Sequence, residues 1–407
     1  MNEDRLKEAL REAEVPDEGG AEERSWRIVS AAFAGHEADA ARESRRLPLR
    51  LALAVAALGA LVLALALTPA GASVREWVAD AIDEGGSDQQ RDALTRLPAP
   101  GELLVASRPG IWLVRADGTR RLLGDYEEAS FSPHGLNVIA SRDGQLVAVN
   151  PQGEIQWSIA SERRISDPRW APSGYRVAYR DGPGLGVIAA DGTDPRRLVE
   201  RVAPIAPSWR PSADGVDPRY QPNVLAYADV DGRIVALDVD TGERLWRTPM
   251  GPSPRSLAWI APDRIVVAGD RSIALLDGEG HREGEVPVPS AARVLSVTPA
   301  PDGERLAVVL ATPGNGSKLV LARIAGGTRR ERTVFSGLGM FGAPLFSPDG
   351  SKVLLPWADA DQWLFISPAP DRKLVRSTIA VTDIARQFDP GGRGSPDFPT
   401  VEGWCCG

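Results

Sequence analysis

The feature that most constrains the fold is a short phrase that recurs along the chain. An apolar or aromatic residue precedes a proline turn with Gly or Asp, as in FSPHG at 131–135 and FSPDG at 346–350. Six copies place their prolines 39 to 51 residues apart, at Pro133, Pro172, Pro211, Pro262, Pro301 and Pro348. A period of about 40–45 residues is typical of the blades of a β-propeller.

The residues after each turn support this interpretation. Short stretches rich in Val, Ile, Leu and Ala follow one another, separated by Gly and Asp turns, as in RVAYRD and LGVIAA within 176–190. Together with the strand before the turn they give four strands per unit. These strands barely alternate between apolar and polar residues, because neighbouring blades cover both faces. The sequence therefore predicts an all-β fold.

The two ends of the repeat region predict how the ring closes. Residues 102–124 predict three strands of a blade that lacks its inner strand. The recurring phrase occurs once more, as FDPG at 388–391. We therefore expect 382–390 to supply the missing inner strand, which gives a seven-bladed β-propeller closed by a C-terminal strand. A six-bladed ring, with 102–124 packed outside it, is the alternative. The predicted propeller spans 101–392, and 393–407 is a C-terminal tail.

A second feature is an apolar run near the N-terminus. No charged residue occurs between Arg50 and Arg75, and about 20 apolar residues suffice to span a bilayer as a helix. This pattern predicts a transmembrane helix at 48–72. Arginines precede it and acidic residues follow it, so the N-terminus is expected in the cytoplasm and the propeller outside. Cleavage after Ala72 is the alternative, but signal peptides of about 15–30 residues lack so long a leading segment.

The segments on either side of this run are short. Residues 1–47 predict two small amphipathic helices, which either dock a cytoplasmic partner or form a solvated tail. Residues 73–100 predict an interfacial helix, with Trp77 near the lipid headgroups, followed by a polar linker. The expected location is the cell membrane, with a single pass.

The repeat units also resemble known families. Residues 345–357, LFSPDGSKVLLPW, resemble the blades of TolB-type, WD-repeat-like propellers, although the Gly-His and Trp-Asp pairs of true WD repeats are missing. Residues 236–248 resemble a quinoprotein-type blade through Asp238, Thr241, Gly242 and Trp246, and 149–157 is a partial echo. This second resemblance implies that the phrase docks one blade against the next and is not a cofactor site.

The sequence predicts no catalytic, cofactor or metal site. The three histidines have no second ligand at metal-binding spacing, and no nucleophile motif of a hydrolase occurs. The net charge of −8 argues against nucleic-acid binding. Cys405 and Cys406 are adjacent, which brings their Cα atoms closer than is usual in disulfides. A strained ring, an intermolecular bridge, small attached thiols and two free thiols all stay open.

Four loops are expected to gather on one rim of the propeller, at 124–129, 161–166, 180–184 and 357–361. They combine aromatic rings, arginines and acids, a mixture suited to a polar partner surface. Ordinary solvated loops are the alternative. The predicted partner-binding residues are Tyr126, Glu127, Glu128, Arg163, Arg164, Trp357 and Asp361.

Three functions are compatible with this organisation. The preferred one is a non-catalytic binding or scaffold module for an extracytoplasmic protein, peptide or glycan. The second is an enzyme of quinoprotein or lyase type with its site in the central funnel. The third is a transmembrane sensor that signals through residues 1–47.

Overall fold

The computed structural model describes residues 89–406, apart from 214, 252–253, 325–329, 369–374 and 393. Their strands, numbered in chain order, form seven separate sheets. The predicted membrane span and the cytoplasmic segment lie outside the described residues. Within the described part of the chain, no helix is long and apolar enough to cross a membrane.

Blades 1 to 4 are four-stranded antiparallel sheets, each built from the funnel outwards. Blade 1 contains β29 (Thr400–Cys405), β2 (Glu102–Ser107), β3 (Gly110–Val114) and β4 (Arg120–Gly124). Blade 2 contains β5 (Glu128–Phe131), β6 (Val138–Arg142), β7 (Gln145–Val149) and β8 (Ile155–Ala160). Blade 3 contains β9 (Ile165–Trp170), β10 (Arg176–Asp181), β11 (Gly184–Ala189) and β12 (Arg196–Val199). Blade 4 contains β13 (Ser208–Trp209), β14 (Val224–Ala228), β15 (Arg233–Asp238) and β16 (Arg244–Pro249).

Blades 5 to 7 repeat the pattern, and the last has a fifth strand. Blade 5 contains β17 (Ser256–Ala261), β18 (Arg264–Ala268), β19 (Ile273–Asp277) and β20 (Arg282–Val286). Blade 6 contains β21 (Arg293–Pro299), β22 (Arg305–Thr312), β23 (Gly316–Arg323) and β24 (Arg330–Leu338). Blade 7 contains β25 (Leu345–Phe346), β26 (Val353–Trp357), β27 (Gln362–Pro368), β28 (Val375–Val381) and β1 (Gln89–Arg91).

The inner strands touch one another in a complete circle. β29 contacts β5, and the contacts continue through β9, β13, β17, β21 and β25 back to β29. The described ring therefore has seven blades, as predicted, and not six. The hydrophobic clusters lie between adjacent blades, where second and third strands bury their apolar side chains from both sides.

The C-terminal closing strand exists, but it is not the predicted segment. β29 lies within 393–407, which the sequence indicated as a tail, and it pairs antiparallel with β2. Within 382–390 the chain instead forms a short helix, α1 (Ile384–Gln387). Phe388 of the FDPG phrase is fully buried against Trp363, with ring centroids 5.2 Å apart, so the phrase fills a gap between blades instead of pairing in a sheet.

The segment predicted as a polar linker also joins the propeller in its last part. β1 pairs parallel with β28 at the outer edge of blade 7. Leu94 and Leu97 are buried in the cluster shared by blades 7 and 1. The backbone N–H of Leu94 donates to Oε1 of Gln387 at 3.0 Å. Two buried leucines thus hold this segment against the ring.

The repeated phrase has the place that its spacing predicted, because each of the six prolines follows an inner strand. The docking role of the quinoprotein-like phrase is confirmed as well. Nε1 of Trp246 donates to the carbonyl of Gly278 in the next blade at 2.9 Å. Nε1 of Trp157, in the partial echo, donates to Ala190 at 2.7 Å. Each ring therefore anchors one blade to its neighbour.

The two cysteines at the end of β29 are bonded to each other. Cys406 has left the strand and adopts a left-handed backbone conformation, with φ of 61°. The alternation that sends adjacent strand side chains to opposite faces therefore ends here, and the two thiols can meet. Two short 3₁₀ turns, Pro218–Tyr220 and Ala358–Ala360, complete the described helical elements.

Candidate functional site in the funnel

The seven predicted partner-binding residues lie on the same rim of the propeller. The strands of a blade alternate in direction. The connections from an outer strand to the next inner strand therefore lie on the same rim as the turns between second and third strands. We call this the entry rim. The tight proline turns after the inner strands lie on the opposite rim.

Three of the seven residues come together at blades 2 and 3. Glu127 and Arg164 form an ion pair of 2.8 Å, and both side chains are largely exposed. Glu128 accepts a hydrogen bond from the backbone N–H of Asp167. Arg163 is directed elsewhere, since its nearest acidic partner is Asp181 at 3.6 Å.

The other three residues have mainly structural contacts. Tyr126 packs into the cluster between blades 1 and 2, and burial raises its pKa. Trp357 donates from Nε1 to the carbonyl of Leu338 at 2.9 Å, in blade 6. Asp361 accepts a hydrogen bond from the backbone N–H of Ala385 at 2.8 Å and so positions α1. Trp357 and Asp361 belong to blade 7, whereas the group lies at blades 2 and 3.

The structure adds residues that the sequence analysis did not select. The inner strands of blades 1, 2 and 3, together with β10, bring together three carboxylates and two guanidinium groups. We call these residues the acid–arginine cluster: Glu128, Asp167, Arg169, Arg180 and Glu402. Only Glu128 was among the predicted residues.

A β-bulge shapes the cluster in blade 3. β9 pairs with β10 at Ser166 and at Arg169. The two residues between these positions, Asp167 and Pro168, face a single residue of β10, Tyr179. Asp167 adopts a left-handed backbone with φ of 53°. Such bulges redirect side chains and are frequent near functional sites. Here the bulge turns the Asp167 carboxylate to Arg180, with Nη1 and Oδ2 2.9 Å apart.

A second bulge places Glu402. In β29, Gly403 pairs with Leu104 and Val401 pairs with Val105, so Glu402 between them has no partner in β2. Its carboxyl group has no hydrogen bond or ion pair with any residue that the structure describes. A carboxyl group in this position can accept a hydrogen bond from a ligand.

Electrostatics distinguish Glu402 further. Burial raises its pKa to about 7, the nearby charges of Glu128 and Asp167 raise it too, and Arg169 opposes them. Burial also raises the pKa of Glu128, against the hydrogen bond from the Asp167 backbone. Glu402 therefore changes its charge near neutral pH.

Two chemical roles follow from this geometry. The cluster can bind a polar group that supplies donors to the carboxylates, and Glu402 can hold or release a proton. Within the described residues, no group of three or more His, Cys, Asp or Glu side chains is arranged to hold a metal ion.

One sequence signal could have located Glu402. Inner strands carry an aromatic ring just before their turn, as at Phe131, Trp170 and Phe346. Trp404 occupies the same place in β29, two residues after Glu402, and donates from Nε1 to the carbonyl of Pro100 at 3.0 Å. The phrase was missed because Cys405 and Cys406 follow the ring, where the other copies have a proline.

One family model matches part of the propeller. The PQQ_2 family model, described as outer membrane protein assembly factor BamB, matches residues 110–275, which is less than half of the chain. No curated protein matches. Among solved structures, hydrazine synthase of Kuenenia stuttgartiensis is similar at 14% identity and a TM-score of 0.47, over 67% of this chain and 78% of that one. The TolB-type resemblance stays a sequence-based prediction.

Proposed function

We propose that this chain is a membrane-anchored, extracytoplasmic binding module that holds a segment of a protein partner at the entry rim of blades 1 to 3. The observation that carries the proposal is the acid–arginine cluster, to which three different inner strands contribute. Its unpaired carboxyl group, Glu402, lies beside donors and acceptors that are already fixed by hydrogen bonds. Fixed polar groups around an open acceptor favour recognition over simple packing.

The charges favour a basic side chain in the bound segment. The cluster contains three carboxylates and two guanidinium groups, so it has an excess of acceptors. A Lys or Arg side chain that enters the funnel would reach Glu402 and complete the pairing. The Glu127–Arg164 ion pair at the rim offers a further donor and acceptor, with little cost for rearrangement because both groups are exposed.

The family match supports a protein partner. Its description names an assembly factor for outer membrane proteins, which handles other proteins. The membrane anchor in this proposal depends on the apolar run at 48–72 and its arginine flank. Signalling through residues 1–47 stays a prediction.

Site-specific crosslinking tests the proposal. A photo-crosslinking amino acid at position 127 or 164 of the full chain, in intact cells, should capture the same protein. The same probe at Arg244, on the exposed outer strand of blade 4, should not. Glu402→Lys should abolish the capture, whereas Glu243→Lys, an equal change of charge on blade 4, should leave it intact. Equal capture by the Glu402→Lys variant would exclude the funnel as the binding site.

An enzyme is the second candidate, and the pKa of Glu402 is the observation that favours it. A carboxyl group that is half protonated near pH 7 suits a general acid or base. The Glu402→Gln variant separates the two functions. It keeps the shape and one acceptor, so it should still capture the partner, though more weakly, whereas proton transfer by this side chain would be lost.

A further inference from the structure

The exposed apolar side chains of the propeller are not spread evenly over its surface. Among the described residues, ten large apolar side chains are exposed. Six of them lie on turns of the opposite rim, or at the starts of outer strands beside it, in three neighbouring blades. We call these residues of blades 2, 3 and 4 the apolar arc: Leu136, Ile155, Tyr175, Val216, Tyr220 and Leu245.

Blade 4 contributes to the arc through a connection that is longer than its counterparts. Its inner and second strands are joined by 210–223, whereas those of blade 2 are joined by 132–137. Asp217 caps the 3₁₀ turn in this connection and pairs with Arg219. No residue of that turn is buried, and Tyr220 is 82% exposed. The turn is therefore fixed by its own polar contacts, adds nothing to the core, and presents its ring outwards.

The charges beside the arc are largely neutralised by ion pairs. Arg219 pairs with Asp217 in the same connection. Arg176, the residue after Tyr175, pairs with Asp240 of blade 4, with Nε and Oδ1 2.8 Å apart. Apolar side chains, more than charges, thus determine what this face can bind. An exposed group of apolar side chains on one face marks a site of contact with a protein or a membrane.

The direction of β1 favours a membrane at this face. β1 is parallel to β28, which runs from the opposite rim towards the entry rim. The described chain therefore enters blade 7 from the side of the opposite rim. Only residues 73–88 separate β1 from the apolar run at 48–72, the anchor of the proposed function. A flexible segment of this length spans about 20–24 Å on average, so it keeps the propeller beside the bilayer and weak contacts suffice.

We propose that the apolar arc is a membrane-contact face, with the opposite rim of blades 2 to 4 lying on the lipid bilayer. The aliphatic side chains of the arc enter the boundary between headgroups and acyl chains. Tyr175 and Tyr220 lie at headgroup level, where the ring is in an apolar surrounding and the hydroxyl group stays hydrated. The inference rests on the membrane anchor of the proposed function. It adds that the entry rim faces away from the bilayer and stays free for the partner.

Quenching by labelled lipids tests this inference. The full chain is reconstituted into phosphatidylcholine vesicles with an environment-sensitive fluorescent amino acid at position 136 or 220. Nitroxide groups on the lipid headgroups should quench both probes. The matched controls are probes at Val230 and Met340, which are also exposed, at 54% and 64%, but lie at the entry rim. These two probes should not be quenched.

Charge substitutions provide the second arm. Leu136→Glu combined with Tyr175→Glu should abolish the quenching at position 220, because carboxylates are costly to bury in the interface. Val230→Glu combined with Met340→Glu should leave that quenching unchanged. All four side chains are exposed, so both double variants should keep the melting temperature of the parent. Adding phosphatidylglycerol should change the quenching little, because apolar contacts carry the binding.

The outcomes separate the contact face from the anchor. A chain that floats with the vesicles, but whose probes at 136 and 220 are not quenched or are quenched no more than those at 230 and 340, overturns the inference alone. A chain that does not float with the vesicles overturns the anchor and this inference together. A probe at 220 that responds to protein concentration but not to nitroxide lipids reports contact between two copies, which also overturns the inference.

Discussion

Among the described residues, four inner strands contain a β-bulge, and they fall into two pairs. In blades 1 and 3 the bulged residues include Glu402 and Asp167. In blades 5 and 6 they are Ile260 and Leu295, which pack into the apolar clusters between blades. The same backbone feature thus serves the core in one half of the ring and a polar site in the other. The repeat determines the geometry, and the residue at the bulge decides what it is used for.

The largest effect should come from removing the strand that holds one of the acidic bulges. Deleting 400–407 removes β29, and the buried side chains of Val401 and Trp404 alone contribute roughly 3–6 kcal/mol. We expect a melting temperature lower by many degrees, or no folded protein, in a thermal unfolding experiment. Truncation after Cys405 is the control and should have a small effect. An unchanged melting temperature after the longer deletion would disprove closure by β29.

Placing an acid at an apolar bulge should have the next largest effect. Ile260 is 9% exposed, so Ile260→Glu buries a carboxyl group without a designed partner, at a cost of about 3–5 kcal/mol. The loss should be smaller at pH 5 than at pH 8, because the protonated acid is easier to bury. Urea unfolding at both pH values measures this, with Ile260→Met as the volume control. A pH-independent loss would mean that the carboxyl group at position 260 reaches solvent and keeps its ordinary pKa.

The acidic bulge of blade 1 should make stability depend on pH. The pKa of Glu402 is raised from 4.5 to about 7 in the folded state, so between these values the folded chain binds more protons than the unfolded chain. The free energy of unfolding therefore falls as the pH rises through this window, by up to about 3 kcal/mol.

Glu402→Gln should remove this contribution. Urea unfolding of the parent and the variant between pH 4.5 and 8 gives the free energy of unfolding at each pH. Plotted against pH, the two free energies should differ in slope mainly below pH 7. Parallel curves would show that Glu402 does not titrate in this window.

The smallest effect concerns the backbone of the bulge in blade 3. Asp167→Asn and Asp167→Ala both remove the charge that pairs with Arg180, but asparagine tolerates the left-handed conformation and alanine does not. The alanine variant should be less stable than the asparagine variant by about 1–2 kcal/mol. Equal midpoints in urea would show that the bulge relaxes to an ordinary strand.

The sequence predicted the repeat because it depends on local patterns, whereas the count of seven blades also depended on pairing between the two ends of the repeat region. Turn prolines such as Pro133 and Pro348 recur at a fixed spacing, and short apolar strands follow each of them. The docking of Trp246 was equally accessible, since the phrase around it lies within one blade. These features need no knowledge of which distant strands pair.

The site was less accessible because it depends on pairing across the ring. Whether Glu402 or Asp167 is bulged follows from the register with a neighbouring strand, which the residues themselves do not specify. The FDPG phrase at 388–391 matches the repeat better than β29 does. The segment around it was therefore predicted as the closing strand, and this prediction was wrong. Phe388 fills a gap between blades and does not end an inner strand.

Closure by β29 also sets an order of events during synthesis. Trp404 and its hydrogen-bond partner Pro100 are 304 residues apart in the chain, so β2 leaves the ribosome long before the strand that covers it. During that interval blade 1 is a three-stranded sheet with an open edge, a template to which other chains can add. At about 5–20 residues per second, this exposure lasts on the order of 15–60 seconds. The edge of β2 is covered, and the ring closes, only after β29 has been synthesised.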